Sequence, residues 1–434
     1  MQDRNADRNV RAFIVFRIAF NARFYYPVLA ILFLDLGLSL EQYSLLNVGW
    51  AAAICLLEVP SGALADTWGR KKLVVIAGAL MIAEMVIFSF TPRGNVTLMF
   101  GLFMLNRVLS GAAEACASGA DEALVYDSLK AEGREKEWPQ ILAKLGRWQS
   151  VAFFIAMLVG AAVYDPTSVN AFGHWLGHDW RFTASELTRM PIYLTLILSF
   201  IAFFAAVSMR ETPGAHENKV TLAVAFGNVV SAGRWVIASP VALFVILATL
   251  NNDAFVRLFM TMTSQYYRLL GLPEASFGMI GSLMALLGFV SPWIGEWLVR
   301  MGSARASFGV LSLGTVVGLY LVRFAGSVWA LATVFWLSLV MGVVGFLSSY
   351  YLNEVAEPSR RATILSFRGL STQLAYGGLG LLFAGLLKSL ERHQSAGNGG
   401  EGFLGALGYL PWIFLGSVGV AYLIRWIRSP KPAR

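Results

Sequence analysis

Charged side chains inside long apolar stretches are the residues of this sequence best placed to do chemistry. The first apolar stretch carries Asn21 and Arg23, and the seventh carries Asn252, Asp253 and Arg257. A charge at membrane depth costs several kcal/mol unless it is paired or hydrated, so each such residue is a functional candidate. Their side chains are suited to binding a polar solute or to carrying a proton.

Arg23 and Arg257 lie 234 residues apart, and the same offset separates Gly37 from Gly271. A closely similar offset of 233 recurs at the glycines that follow the second and eighth stretches. The recurrence indicates duplication of a six-helix unit, which would put one arginine at matched depth in each half. Two guanidiniums there would suit a planar or tetrahedral anion. Alternatively, Asp253 and Arg257 are spaced i, i+4 and neutralise each other.

Acids in other stretches are candidates for proton coupling. Glu114 lies two turns after Arg107 on the same helix face. A carboxylate beside an arginine in a desolvated bundle can change its charge when the partner moves. The alternative is a static ion pair between them. Glu58, two residues before Pro60, is a further candidate, so the proton-coupling candidates are Glu58, Arg107, Glu114 and Asp253.

Polar aromatic and amide side chains on the first, tenth and eleventh stretches are expected to line a cavity, although tyrosine is equally typical of membrane interfaces. The predicted substrate-binding residues are Asn21, Arg23, Tyr26, Asn252, Arg257, Tyr350, Gln373 and Tyr376.

The elements that position these residues are membrane-spanning helices. The chain has 434 residues, of which 57% are hydrophobic and only 14% charged, and this is too little charge to cover a soluble protein of that length. A helix needs roughly 20 apolar residues to cross a bilayer. Twelve stretches meet this requirement: 12–34, 44–65, 71–92, 97–127, 140–164, 191–209, 238–262, 276–299, 304–325, 328–353, 362–390 and 404–428.

The distribution of basic residues predicts the orientation. With both termini in the cytoplasm, 23 basic residues fall on the inner side and 7 on the outer side, while 4 stay within the spans. This bias follows the positive-inside rule and explains the net charge of +8 without a nucleic-acid partner.

The loop between the second and third spans carries the most specific motif. Residues 62–72 read GALADTWGRKK, and this resembles the signature loop of the major facilitator superfamily, with only Thr67 departing at a usually basic position. The resemblance implies an all-α membrane protein with twelve transmembrane helices in two pseudo-symmetric six-helix halves. It also implies a conformational latch, in which Asp66 meets the start of the eleventh span and Arg70 pairs with an acid. The predicted latch residues are Gly62, Asp66, Gly69, Arg70 and Asp127.

Two further stretches bear on the mechanism. Residues 107–111 read RVLSG and resemble the superfamily's fourth-helix motif, whose arginine is associated with proton transfer. The fifth span lacks the proline and most glycines typical of drug antiporters. Arginines on helices 1 and 7 are similar to those of organic-phosphate antiporters, but by helix and depth only.

These observations predict residues 1–210 as one half, 211–233 as a cytoplasmic linker and 234–434 as the other half. We expect a monomeric protein of the bacterial inner membrane, with no enzymatic activity, cofactor or metal. The partners expected are a small-molecule substrate, protons and the lipid bilayer. The predicted function is proton-coupled transport by alternating access, with export favoured. The alternatives are an organic-anion or organic-phosphate transporter, and a membrane receptor or enzyme on the same scaffold.

Overall fold

The computed structural model describes residues 5–211, 222–324, 328–357, 360–393 and 399–428. The described residues form helices and no strands. The α-helices are α1 Asn5–Asn21, α2 Leu29–Asp35, α3 Leu40–Trp68, α4 Arg70–Phe90, α5 Val96–Ala117, α6 Ala120–Ala131, α7 Trp138–Tyr164, α8 Pro166–Trp175, α9 Ala184–Leu187, α10 Met190–Ser208, α11 Leu222–Ala238, α12 Pro240–Thr261, α13 Thr263–Leu269, α14 Glu274–Leu286, α15 Ser291–Val299, α16 Ala304–Leu321, α17 Val328–Val355, α18 Arg361–His393 and α19 Gly399–Ile427. Short 3-10 turns occupy Tyr26–Val28, Glu135–Glu137 and Leu287–Phe289.

Twelve segments of the described chain are helical, long and apolar enough to cross a membrane, from Asn5–Asp35 to Gly400–Ile427. They coincide with the twelve stretches predicted from the sequence, so the predicted fold class is confirmed. Helix is the form such segments must take, because lipid offers no partner for an unpaired peptide group and an α-helix satisfies its own.

The first span is interrupted, and the interruption positions a functional candidate. Helix α1 ends at Asn21, and α2 begins at Leu29 after the turn that contains Pro27. The peptide groups between them bond locally, for example from the Tyr26 amide to the Arg23 carbonyl at 3.2 Å. Arg23 therefore lies in a non-helical turn in the middle of a span, a geometry that membranes tolerate only where protein or water surrounds the backbone.

The chain divides into two compact units. The first comprises Met1–Ser39, Gly49–Ala225 and Leu272–Ser282, and the second comprises Leu40–Val48, Phe226–Gly271 and Leu283–Arg434. In the first unit α4 packs against α5 and α10, and α1 packs against α10. Buried side chains such as Phe13, Phe16 and Met81 form its core.

The second unit is built around α12, which packs against α17, α18 and α19. The start of α3 belongs to this unit, where the Tyr43 hydroxyl donates to the Thr261 carbonyl at 2.7 Å and the Ser44 hydroxyl to the Gly380 carbonyl at 3.0 Å. Helix α11, Leu222–Ala238, begins within the predicted linker 211–233 and ends five residues beyond it. The predicted division into 1–210, 211–233 and 234–434 stays a prediction.

Close helix packing in the first unit depends on glycine. A Cβ atom at Gly160 of α7 would overlap the carbonyl oxygen of Phe24, which lies in the turn that interrupts the first span. Gly146 lies on the same helix with open space around it. Glycine is therefore required at Gly160 by contact with backbone, which cannot move aside as a side chain can.

We expect Gly160→Ala to lower the free energy of unfolding by about 1–3 kcal/mol, because the added methyl group overpacks a backbone contact. The matched variant Gly146→Ala should leave stability unchanged or raise it by up to about 1 kcal/mol, since alanine favours helix. Thermal unfolding of the purified protein in detergent measures both changes. Equal midpoints for the two variants would show that α7 does not approach Phe24 closely.

Candidate functional site

Arg23 forms a buried ion pair with Glu84 of α4 in the first unit. Arg23 is 4% exposed and Glu84 is fully buried. The Arg23 guanidinium also donates to the Tyr25 hydroxyl at 2.8 Å and lies 5.6 Å from the centre of the Phe20 ring. The turn that interrupts the first span thus places a positive charge in the interior of the unit, and the third span provides the negative charge.

Next to this pair, polar atoms are buried without partners. Among the described residues, Glu84 Oε2 and the Nε and Nη2 atoms of Arg107 have no hydrogen-bond partner. The Arg107 guanidinium lies 5.1 Å from the centre of the Phe33 ring, and the neighbouring Asn106 amide donates to the Glu84 carbonyl at 2.7 Å. Buried donors and acceptors without a partner are costly, so this cluster is a candidate functional site.

The acids of the proton-coupling prediction occupy the same unit. Glu58 and Glu114 are both partly buried and lie within electrostatic reach of each other. Glu114 also interacts electrostatically with Tyr26. No ion pair joins Arg107 to Glu114 in the described part of the chain, so the static pair considered from the sequence is not present.

A second charged cluster lies on α12 in the second unit. Arg257 donates from Nη2 to Asp253 Oδ1 at 2.7 Å, and its guanidinium lies 5.8 Å from the centre of the Tyr376 ring. The predicted i, i+4 neutralisation is therefore present. Asp253 Oδ2 and Arg257 Nε are buried and have no hydrogen-bond partner in the described residues. Arg368 of α18 lies within electrostatic reach of Asp253 and donates to the Ser348 hydroxyl at 3.3 Å.

Asn252, a predicted substrate ligand, is bonded inside the second unit. Its amide nitrogen donates to the Ala248 carbonyl at 2.8 Å and to the Ser312 hydroxyl at 3.1 Å, and its oxygen accepts from Thr315 at 2.7 Å. The side chain is fully buried, so in this structure it fastens α12 to α16. Its role in substrate binding stays a prediction.

The other predicted ligands differ in how accessible they are. Tyr26 is 41% exposed and Tyr350 is 42% exposed, whereas Tyr376 is buried, with its hydroxyl 3.5 Å from that of Thr261. Asn21 is half-buried at the end of α1. Gln373 is half-buried, and its Oε1 atom has no partner among the described residues. The substrate-binding role of each residue remains a prediction.

The loop between the second and third spans is a one-residue break at Gly69. Its φ of +108° is a conformation that residues with a side chain avoid, so glycine is required at this position. Arg70 forms an ion pair with Asp127 of α6, as the sequence predicts, and also donates to the Ala123 carbonyl at 3.1 Å. Gly62 faces open space, so close packing does not explain that glycine.

The acid at the start of α4 is Glu211. Its two carboxylate oxygens accept the backbone amides of Arg70 at 3.1 Å and Lys71 at 2.9 Å. A carboxylate at a helix N-terminus satisfies amides that have no partner within the helix and is favoured by the helix dipole. The predicted contact of Asp66 with the eleventh span stays a prediction, and so does the latch.

Three of these residues are not among those predicted from the sequence: Glu84, Arg368 and Glu211. Glu84 is an isolated acid in an apolar span, and that is the signal in the sequence that could identify it. Arg368 lies near the start of the eleventh apolar stretch, where a basic residue is also typical of the cytoplasmic end of a span. Glu211 lies 140 residues from Lys71, and no local pattern in the sequence connects them.

The twelve membrane-spanning segments of the described residues define the class of protein, an integral membrane protein built of helices. A family model described as Major Facilitator Superfamily matches residues 12–381, and the chain belongs to this superfamily. It is accordingly a transporter and not an enzyme. No curated protein sequence matches the chain.

Solved structures support the same fold. The nucleoside transporter NupG is 13% identical, with a TM-score of 0.72 over 99% of this chain and 100% of that chain. A bacterial homologue of the human lysosomal transporter Spinster, inward-facing and unoccupied, is 15% identical, with a TM-score of 0.73 over 100% of both chains. A D-xylose–proton symporter is 15% identical, with a TM-score of 0.60 over 98% of both. At these identities the similarity establishes the fold alone.

We expect Glu84→Ala to lower the free energy of unfolding by about 3–5 kcal/mol, because it leaves the Arg23 charge buried and unpaired. The double variant Arg23→Leu with Glu84→Leu should recover most of this loss, since neither charge remains. Glu58→Ala, at a partly buried acid with no ion pair in the described residues, is the matched control. If the single and double variants unfolded at the same temperature, the unpaired charge of Arg23 would not be the cause of the loss.

Replacing Glu211 tests the helix cap. Glu211→Ala should destabilise the protein by about 1 kcal/mol through loss of two amide acceptors, whereas Glu296→Ala, at an exposed acid on α15, should have no effect. Hydrogen exchange at the Arg70 and Lys71 amides gives a direct measurement. Faster exchange at these two amides in Glu211→Ala is the expected result, and unchanged exchange would contradict the cap.

Proposed function

We propose that this transporter is proton-coupled and moves a small organic molecule by alternating access, with export favoured over import. The supporting observation is the Asp253–Arg257 pair, in which a carboxylate and a guanidinium lie within a span and each keeps a buried polar atom without a partner in the described residues. Charged side chains within a membrane span are energetically costly, and those that are present usually have a function.

Protonation of Asp253 would remove the charge that holds Arg257. The freed guanidinium would then be available to a substrate or to a second conformation of the unit. Arg368 lies within electrostatic reach of Asp253 and offers the carboxylate an alternative partner. A proton that changes which state is favoured supplies the differential binding energy that alternating access requires.

The charges of the first unit favour a lipophilic or cationic substrate. Glu58 and Glu114 lie near each other and are not ion-paired among the described residues, so they present negative charge to a bound molecule. The organic-anion alternative depends on Arg23 and Arg257, and each already has a carboxylate partner. An anion would therefore have to displace Glu84 or Asp253, or await its protonation, and this makes the anion the second candidate.

We further propose a bacterial inner-membrane location with both termini in the cytoplasm, on the bias of basic residues. The predicted inner side carries a cluster in which Arg134 bonds to Glu137 at 2.8 Å and pairs with Asp7 at 2.8 Å. Hydrogen bonds to Glu137 and then Asp7 raise the pKa of Arg134, and an arginine side chain is in any case always positively charged in a protein. A permanent positive charge is an effective topology signal.

Proteoliposomes with a trapped pH-sensitive dye provide the test. The probes are tetraphenylphosphonium as lipophilic cation, glycerol 3-phosphate as organic anion, and uridine and D-xylose as neutral solutes. We expect tetraphenylphosphonium to be moved by an imposed pH gradient and to move protons in return. Asp253→Asn should reduce gradient-driven transport by about tenfold or more, because the side chain can no longer exchange a proton.

Asp179→Asn, at an exposed loop acid, is the matched control and should transport normally. Selective movement of glycerol 3-phosphate would establish the anion alternative. If the imposed pH gradient has no effect on the transport of any probe that is moved, the proposed proton coupling is wrong.

A further inference from the structure

A groove between α1 and α10 in the first unit has a polarity that changes along its length. It is an open groove with a volume of about 580 Å³, and it is lined by Arg8, Arg11, Ala12, Val15, Ile201, Phe204, Ala205 and Ser208. The basic and hydroxyl side chains lie where α1 begins and α10 ends, and the apolar side chains lie deeper in the span. Arg8 and Val15 are seven residues apart, a rise of about 10 Å along the helix.

The basic end of the groove is held in place. Arg8 donates from Nε to the Ser208 carbonyl at 2.7 Å, so its guanidinium is fixed across the end of α10. Asn9 binds the same end, because its amide nitrogen donates to the Arg210 carbonyl at 2.9 Å. Arg11 is exposed. In the described part of the chain neither Arg8 nor Arg11 has an ion-pair partner, and the adjacent acid Asp7 is paired with Arg134.

The apolar end continues a lipid-facing stripe of α10. Large apolar side chains spaced three or four residues apart are exposed along this helix: Ile197, Phe200, Ile201, Phe204 and Val207. Phe204 has the largest exposed fraction among them, 65%. Within a membrane span, such a stripe faces hydrocarbon, since a water-filled path would be lined with polar groups.

We propose that this groove binds one anionic phospholipid of the leaflet on the side of the N-terminus. The phosphate group lies between Arg8 and Arg11, where two guanidiniums favour negative charge. The acyl chains lie along Val15, Ile201 and Phe204. A free phosphate ion would use only the basic end and leave the apolar wall uncovered. The basic end of the groove matches the charged headgroup and the apolar wall matches the acyl chains, and this combination favours a lipid over a free ion.

Native mass spectrometry of the full-length protein, titrated with phosphatidylglycerol or phosphatidylcholine of identical acyl chains, tests the proposal. Wild-type protein should bind the first lipid at least tenfold more tightly, and an excess of inorganic phosphate should not displace it. Arg8→Gln with Arg11→Gln should weaken binding of phosphatidylglycerol by about tenfold or more, given the contribution of each basic side chain near a membrane surface. Binding of phosphatidylcholine should not change.

The matched control is Arg234→Gln with Arg300→Gln, which removes two exposed arginines that lie outside the groove. It should keep the preference for phosphatidylglycerol. Should the groove double variant fail to fold, Arg11→Gln alone serves, because Arg11 makes no hydrogen bond in the described structure. Phe204→Ala should weaken both lipids equally. Equal affinity of wild type for the two lipids, an unchanged groove variant, or an equal loss in the control would each overturn the proposal.

Discussion

A guanidinium at membrane depth must be compensated, and that requirement organises the interior of both units. Arg17 contacts the fully buried Asp121, Arg23 contacts Glu84, and Arg257 contacts Asp253. Each pair ties two parts of its unit together, except the last, which lies within one helix. Arg107 is the exception, since its described surroundings offer an aromatic ring and leave two of its nitrogen atoms without a partner. Most of these arginines are therefore paired with a carboxylate. The polar atoms that remain without a partner are those to which a proton or a solute could bind favourably.

The sequence offset of 234 residues pairs Arg23 with Arg257 but does not pair their acids. At the offset that separates Arg23 from Arg257, the position matching Glu84 in the second half is Gly318, which packs closely against Leu337. The position matching Asp253 in the first half is Ala19, a buried core residue. The first half thus neutralises its arginine from another span, and the second half neutralises it from one turn earlier on the same helix. Arg23 and Arg257 occupy corresponding positions in the sequence but are neutralised in two different ways, so they need not have the same role.

Much of the fold can be predicted from the sequence, because segments that cross a lipid bilayer are helical and are recognised by their hydropathy and length. The twelve spans, the Arg70–Asp127 pair and the i, i+4 pair on α12 all follow from local pattern or from the signature loop. The Arg23–Glu84 pair did not, because it joins residues 61 apart in sequence and depends on the turn that interrupts the first span. The Glu211 cap was missed for the same reason. Contacts between distant segments require helix rotation and packing, which hydropathy does not encode.

The different surroundings of the two ion pairs indicate which one can change. Arg23 is held by Glu84 and Tyr25 at once, and Asn106 anchors the backbone of Glu84, so separating this pair would expose a charge to a core without water. Asp253 has one bond to Arg257, an oxygen without a partner among the described residues, and a second arginine within electrostatic reach. A charged side chain can change its ion-pair partner only if a second partner lies close by, because an unpaired charge is costly in an interior of low dielectric constant. The pair on α12 meets that condition, and the pair in the first unit is better suited to hold the interrupted span in place.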